Sequence, residues 1–203
     1  MTLKETILQE ALTIFQREGL KDVTAASIPG KLNIAPATYA GIFTDMDDLV
    51  KQVITYDLEK QTNKKNLFLA KSPNAVDSVM RLLQDGIQQI NKVNPLYYQQ
   101  LQQFYPAAWQ VALNHLNTHS IPQLYSLINQ GIVEGNFRRD INLELVTKII
   151  LEQVNMLVNP RLFPPDRYNL AEVYRSIFLY YVRGLCTDAG AKQAELFFAH
   201  NQL

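Results

Sequence analysis

Residues Thr24–Leu49 read TAASIPGKLNIAPATYAGIFTDMDDL: two short helical segments and the start of a longer one, divided by residues that stop a helix. Thr24 is a good N-cap, and Val23 and Ile28 occupy the two positions of a hydrophobic staple around it. The next segment begins Ala35-Pro36, with proline at the first helical position, where its missing N–H costs nothing. Asp45 caps the longer helix, and Asp47 and Asp48 stand in its first turn, where the helix dipole favours negative charge. Upstream, Leu8, Ala11, Leu12 and Phe15 share one helical face before Gly19 ends the run, and Thr2 and Glu5 have the spacing of a capping box.

Short amphipathic helices with breaks of this length make a helix-turn-helix domain. The frame resembles the N-terminal domain of TetR-type (tetracycline-repressor-like) transcriptional regulators. Where that family has Ile-Ala, Ala-Gly-Val-Ser, Gly-Thr-Leu-Tyr, His-Phe and Ser-Lys-Glu-Glu-Leu, this chain has Ile28-Pro29, Leu32-Asn33-Ile34-Ala35, Ala37-Thr38-Tyr39-Ala40, Ile42-Phe43 and Asp45-Met46-Asp47-Asp48-Leu49, with no insertion. The resemblance implies an all-α protein: a helix-turn-helix DNA-binding domain over 1–47, joined by a long connector helix to a larger ligand-binding and dimerisation domain over 48–203. The DNA-contacting candidates in this chain, residues that would share one surface, are Thr24, Lys31, Thr38, Tyr39 and Lys51. The chain departs from the family at the DNA face. The tyrosine and lysine that hold phosphates in the family are Ala40 and Met46 here, the polar residue before the phenylalanine is Ile42, and Pro29 falls inside the second helix, where it invites a kink. Between Pro36 and Phe43 there is no Arg, Lys, Asn or Gln, the side chains on which major-groove reading mainly rests.

Charge points the same way. Over residues 1–50, seven acids (Glu5, Glu10, Glu18, Asp22, Asp45, Asp47, Asp48) face four bases (Lys4, Arg17, Lys21, Lys31), whereas phosphate contacts call for a basic surface. The whole chain is neutral, so it offers no general attraction to nucleic acid or anionic lipid. With 203 residues, 47% of them hydrophobic, it has enough material for a substantial core. It lacks a signal-peptide pattern or a membrane-length apolar run, so no membrane insertion and a cytoplasmic location are the expectation. Cys186 is the lone cysteine, which excludes an internal disulfide and reads as a small apolar residue.

Beyond residue 45 the pattern is helix after helix. The connector, about Met46 to Ala70, places Leu49, Val50, Val53 and Ile54 toward the N-terminal domain, and its Lys60, Lys64, Lys65 and Lys71 read as a solvated face. Val76, Val79, Met80, Leu83, Ile87 and Ile90 form the stripe of the next helix. The aromatic-rich stretch that follows offers Tyr97, Tyr98, Leu101, Phe104, Tyr105 and Trp109 as lining for an apolar or aromatic effector, with ordinary core as the alternative for any one of them. The resemblance adds weight to this cluster, because TetR-like effector pockets lie among the middle helices. His115 and His119 are one helical turn apart, but two ligands do not make a metal site, so neither metal nor cofactor is expected. Asn129–Leu145 contains a second point of resemblance, a Gly-x-Phe-Arg turn: Gly135 suits a left-handed C-cap, and Asn142 suits an N-cap stapled by Ile141 and Val146.

The helices Leu143–Val158 and Leu170–Leu185 are apolar over most of their circumference, as helices buried on two sides must be. One side is assigned to the chain's own core and the other to a second copy, with Ile149, Val154, Met156, Ile177, Tyr180 and Tyr181 as interface candidates, much as in the four-helix dimer of the family. The sequence therefore reads as a homodimeric, effector-responsive regulator, a repressor in type, that binds a double-stranded DNA operator. No catalytic residue is assigned: Glu-x-x-His pairs, a phosphate-binding glycine loop, a zinc-protease motif and a Gly-x-Ser-x-Gly elbow are all missing. The alternative is a protein of the same fold that has lost specific DNA binding and holds an apolar small molecule or lipid, as the ubiquinone-biosynthesis accessory proteins of this fold do.

Overall fold

The computed structural model describes residues 2–157 and 159–201; the side chains of Leu151, Val154, Asn155 and Asn201 lie outside the described set. The protein is all-α. The order is α1 (Leu3–Glu18), α2 (Ser27–Leu32), α3 (Pro36–Ala40), α4 (Met46–Leu69), α5 (Ala75–Lys92), α6 (Tyr97–Phe104), α7 (Pro106–His115), a π-helical segment (Leu116–Ser120), α8 (Ile121–Val133), α9 (Leu143–Leu157), α10 (Leu170–Leu185) and α11 (Asp188–Asn201). By contact the chain forms two compact units, residues 1–63 with 92–115, and residues 64–91 with 116–203. The boundary expected after residue 47 follows the end of the helix-turn-helix in the sequence. Division by contact differs, because α6, α7 and the first part of α4 share a core with the helix-turn-helix.

Local sequence explains the helix ends of the first unit. Thr2 and Glu5 form the capping box, with Thr2 N donating to Glu5 Oε2 at 2.7 Å and Glu5 N to Thr2 Oγ1 at 3.2 Å. Thr24 and Ser27 exchange bonds in the same manner, which settles the chain into α2 one turn after the threonine. Pro29 then falls in the first turn of a six-residue helix, where backbone N–H groups have no intrahelical acceptor, so it breaks nothing. The kink anticipated at Pro29 does not arise. Asn33 ends α2 in the left-handed conformation (φ 52°), and Ile34 N reaches back to Pro29 O at 3.0 Å, closing a Schellman-type turn where the family has glycine. Asp45 Oδ1 accepts from Asp48 N at 2.8 Å at the head of α4.

Phe15, Leu20, Ile28, Leu49, Val50 and Val53 are fully buried and form the middle of this core. Each such side chain contributes about 1.5–3 kcal/mol by leaving water. Two long-range clasps hold α6 and the segment before it against the end of α1 and the turn that follows: Asn94 N donates to Gln16 O at 2.6 Å, and Gln100 Oε1 accepts from Leu20 N at 2.6 Å and Lys21 N at 3.2 Å.

The second unit packs Met80 of α5, Ile128 of α8 and Phe137 around a core completed by α9, α10 and α11. The 134–142 turn forms as expected. Gly135 is left-handed (φ 77°), Asn142 Oδ1 accepts from Leu145 N at 3.1 Å, and Ile141 and Val146 both join the core. The start of α11 pins this turn, with Thr187 N donating to Asn136 O at 2.9 Å. Gly190 allows that approach, since a Cβ there would lie 2.0 Å from the Asn136 carbonyl oxygen. Cys186 is half-buried, and burial pushes its thiol up to about 11, which keeps it protonated and unreactive near neutrality.

Candidate functional site

The helix-turn-helix places α3 after the Asn33 turn with Pro36, Ala37 and Ala40 exposed and Thr38 half-buried. Tyr39 is corrected: it is 7% exposed and packs on Phe43, ring centroids 5.4 Å apart, so it belongs to the core and not to the DNA face. Residues four apart share a helical face, and the side that buries Phe43 buries Tyr39 with it. The Tyr39 hydroxyl has no hydrogen-bond partner among the described residues, and burial, aided by the negative charges of Asp45 and Asp48, raises its pKa.

Of the remaining candidates, Thr24, Lys31 and Lys51 are exposed. Lys31 is already engaged, because its ammonium bonds the Glu18 carboxylate, which Arg17 also holds at 2.7 Å. The Lys31 bond first and the Arg17 bond second draw Glu18 below the usual carboxylate range. A basic side chain paired in this way must exchange its partner before it can contact a phosphate. Glu18 was not singled out in the sequence, because the partnership joins the last turns of two separate helices. The family's two phosphate-holding positions, Ala40 and Met46, are exposed and half-buried respectively.

The aromatic cluster divides. Tyr97 and Leu101 are buried in the first unit's core together with α1 and α4, so they are core residues and not an open lining; Tyr98, Tyr105 and Trp109 pack half-buried against that core, and Phe104 is exposed. Tyr97 meets Tyr98 edge-on at 5.2 Å, and its hydroxyl has no hydrogen-bond partner among the described residues. Burial first and the Asp57 charge second push the Tyr98 hydroxyl far up; for Tyr97 the neighbouring Tyr98 adds to both. A polar fringe lies on α4 and α7: Gln61 donates to Asp57 at 2.7 Å, and Thr62 Oγ1 and His115 Nε2 are 2.9 Å apart. His119 is exposed beside Thr118, and the described residues contain no group of three or more His, Cys, Asp or Glu arranged to hold a metal.

On α9 and α10 the candidates sort by direction. Ile149 is 45% and Tyr180 69% exposed, and Met156 is half-buried. Ile177 and Tyr181 are half-buried and pack on their own unit's core, with the Tyr181 hydroxyl 3.4 Å from Val146 O. Val154 has its side chain outside the described residues. Leu145, exposed one turn before Ile149, extends the outward stripe and was not singled out from the sequence. No helix among the described residues is long and apolar enough to cross a membrane.

No family model matches the chain, and no curated protein matches it. Solved structures do. The fatty acid degradation regulator FadR from Bacillus halodurans aligns with a TM-score of 0.70 at 15% identity, over 91% of this chain and 97% of that one. A TetR-family transcriptional regulator from Streptomyces coelicolor aligns with a TM-score of 0.67 at 16% identity, over 90% and 96%. The transcriptional regulator FadR from Bacillus subtilis, solved in complex with stearoyl-CoA, aligns with a TM-score of 0.60 at 15% identity, over 89% and 98%. From the Asn33 turn through the α9–α10 pair, the fold of this chain is the fold of TetR-family transcriptional regulators.

Proposed function

We propose that this chain is an effector-responsive, DNA-binding transcriptional regulator that acts as a homodimer in the cytoplasm, a repressor in type and not an enzyme. The observation that supports it most is the helix-turn-helix itself: the Asn33 turn delivers α3 with its outer face free, in a fold shared with TetR-family regulators along nine-tenths of the chain. Two copies related by a two-fold axis present two such helices to half-sites about one turn of DNA apart. Thr24, Thr38 and Lys51 are the direct contacts, joined by Lys31 once Glu18 releases it. Ile149, Tyr180 and Leu145 provide the centre of the dimer face. An apolar small molecule, held by the larger domain with Tyr98, Tyr105 and Trp109 at its edge, changes the spacing of the two α3 helices by its unequal affinity for the two arrangements.

The test is binding of the purified protein to genomic fragments that include its own upstream region, at low and moderate salt. Specific recognition leaves one fragment bound as salt rises, because base contacts outlast the counterion term. Equal loss from every fragment would sink the operator-binding part. A second reading, a ligand carrier of this fold without specific DNA binding, is favoured by the burial of Tyr39 and the Lys31–Glu18 pair, which together leave few free groups on the recognition face. Under that reading, bound lipid accompanies indifference to DNA.

A further inference from the structure

The two helices of the helix-turn-helix carry a single charged side chain between them. From Ser27 at the start of α2 to Ala40 at the end of α3, that residue is Lys31. In this motif the first helix crosses the DNA backbone and the second enters the groove, so Lys31 is the one base that the crossing helix can bring to a phosphate. Its ammonium is held by the Glu18 carboxylate in the last turn of α1, and the other oxygen of that carboxylate accepts from Arg17 at 2.7 Å. A single acid thus engages two of the four bases found in residues 1–50.

Helix α1 by itself gives Glu18 no reason to be there. The C-terminal end of a helix carries partial negative charge and disfavours a carboxylate, so the two cations are what offset its position. Lys31 and Glu18 keep 36% and 33% of their side-chain surface open, which leaves the pair within reach of solvent and of a phosphate. An ion pair this exposed is held weakly, and a phosphate oxygen can take the place of the carboxylate. The group of three carries one net positive charge, where its two bases alone would carry two. Each phosphate neutralised by a base releases counterions worth about 0.9 in the slope of log affinity against log salt, so Glu18 withholds about one such unit.

We propose that Glu18 is a built-in competitor of DNA phosphate, which holds Lys31 back from the backbone and lowers the affinity of the helix-turn-helix for duplex DNA of any sequence. This rests on the DNA-binding part of the proposed function and adds to it a positioning residue, which acts through Lys31 and touches no base. Non-specific binding is almost wholly electrostatic. A carboxylate that suppresses it leaves base contacts untouched and so raises the ratio of specific to non-specific binding.

The test is fluorescence anisotropy of the full chain with a labelled, mixed-sequence duplex of about two dozen base pairs, between about 50 and about 200 mM potassium chloride. The parent is compared with Glu18→Gln, Lys31→Met and the double variant. Glu10→Gln serves as control, because it removes the same charge from an exposed position of α1 about two turns earlier. Glu18→Gln is expected to bind about threefold or more tighter at the low-salt end and to steepen the slope by about 0.9. Lys31→Met is expected to remove that gain, costing more affinity in the Glu18→Gln background than in the parent.

Unchanged affinity and slope in Glu18→Gln, an equal gain from Glu10→Gln, or an equal cost of Lys31→Met in both backgrounds overturns the proposal and leaves DNA binding itself standing. A lower melting temperature in Glu18→Gln with the slope unmoved does the same, since the pair is then only a staple between α1 and α2. Binding by Glu18→Gln where the parent binds nothing supports the proposal in its strongest form. If no variant binds at the lowest salt, the proposal and the DNA-binding part of the function fall together.

Discussion

Tyr39 illustrates how much a single side chain's direction decides. From the sequence it was one of two polar groups available to α3 for reading DNA; in the fold its ring lies on Phe43, and its hydroxyl is enclosed with no partner among the described residues. Enclosing a hydroxyl unpaired costs about 1–3 kcal/mol, so Tyr39→Phe keeps the packing and removes the penalty. The expected outcome is a melting temperature equal to or above that of the parent, with DNA affinity unchanged; a marked loss of DNA binding in this variant would restore Tyr39 to the contact set. Its orientation was not legible because α3 has only five residues, too few for an apolar period to distinguish inside from outside. Lys31 teaches the complementary lesson. Its charge was plain in the sequence, but its neutralisation by Glu18 depends on how α1 and α2 meet.

At the level of elements, what is encoded locally was readable. The Thr2–Glu5 box, the Asp45 cap of α4, the Gly135 turn and the Asn142 cap each depend on residues within a few positions of one another, and each is present; Thr24 instead closes a turn with Ser27, and α2 starts at Ser27 without a side-chain cap. What depends on distant partners was not. Nothing in the stretch from Tyr97 to Trp109 announces that its Tyr97 and Leu101 face α1 and α4, because the partners lie some forty to ninety residues earlier in the chain. The π-helical turn Leu116–Ser120 is another such case: it carries the chain from α7 straight into α8, whose first turn holds Pro122. Gln100 carries a measurable share of the α6 arrangement, since its side-chain oxygen satisfies two backbone N–H groups of the α1–α2 turn. Gln100→Ala strands both, and a destabilisation of about 1–3 kcal/mol is expected in denaturant titration. No change in midpoint would mean that solvent replaces the glutamine at no cost.

For the molecule as a whole, the outward stripe of α9 and α10 sets the expected assembly. Large apolar side chains left open mark a partner surface more often than ordinary solvent-facing skin; Leu145 and Ile149 stand one turn apart on α9, and Tyr180 is open on α10. Sedimentation at about micromolar concentration is expected to give a dimer, the working state of most symmetric regulators. The double variant Ile149→Glu with Tyr180→Glu is expected to give a monomer of normal helicity, because a buried interface does not tolerate two unpaired carboxylates. A parent that already sediments as a monomer would remove the two-fold arrangement on which operator spacing rests. The division of the chain by contact also bears on how the protein comes into being. The first unit takes residues 1–63 and then waits for 92–115, with a piece of the other unit between them in the chain. As synthesis proceeds from the N-terminus, the helix-turn-helix leaves the ribosome before Tyr97, Leu101 and Ala108 exist to close its core. The helix-turn-helix is therefore among the first parts to be made and among the last to be finished, and its core closes only after α5 has been made.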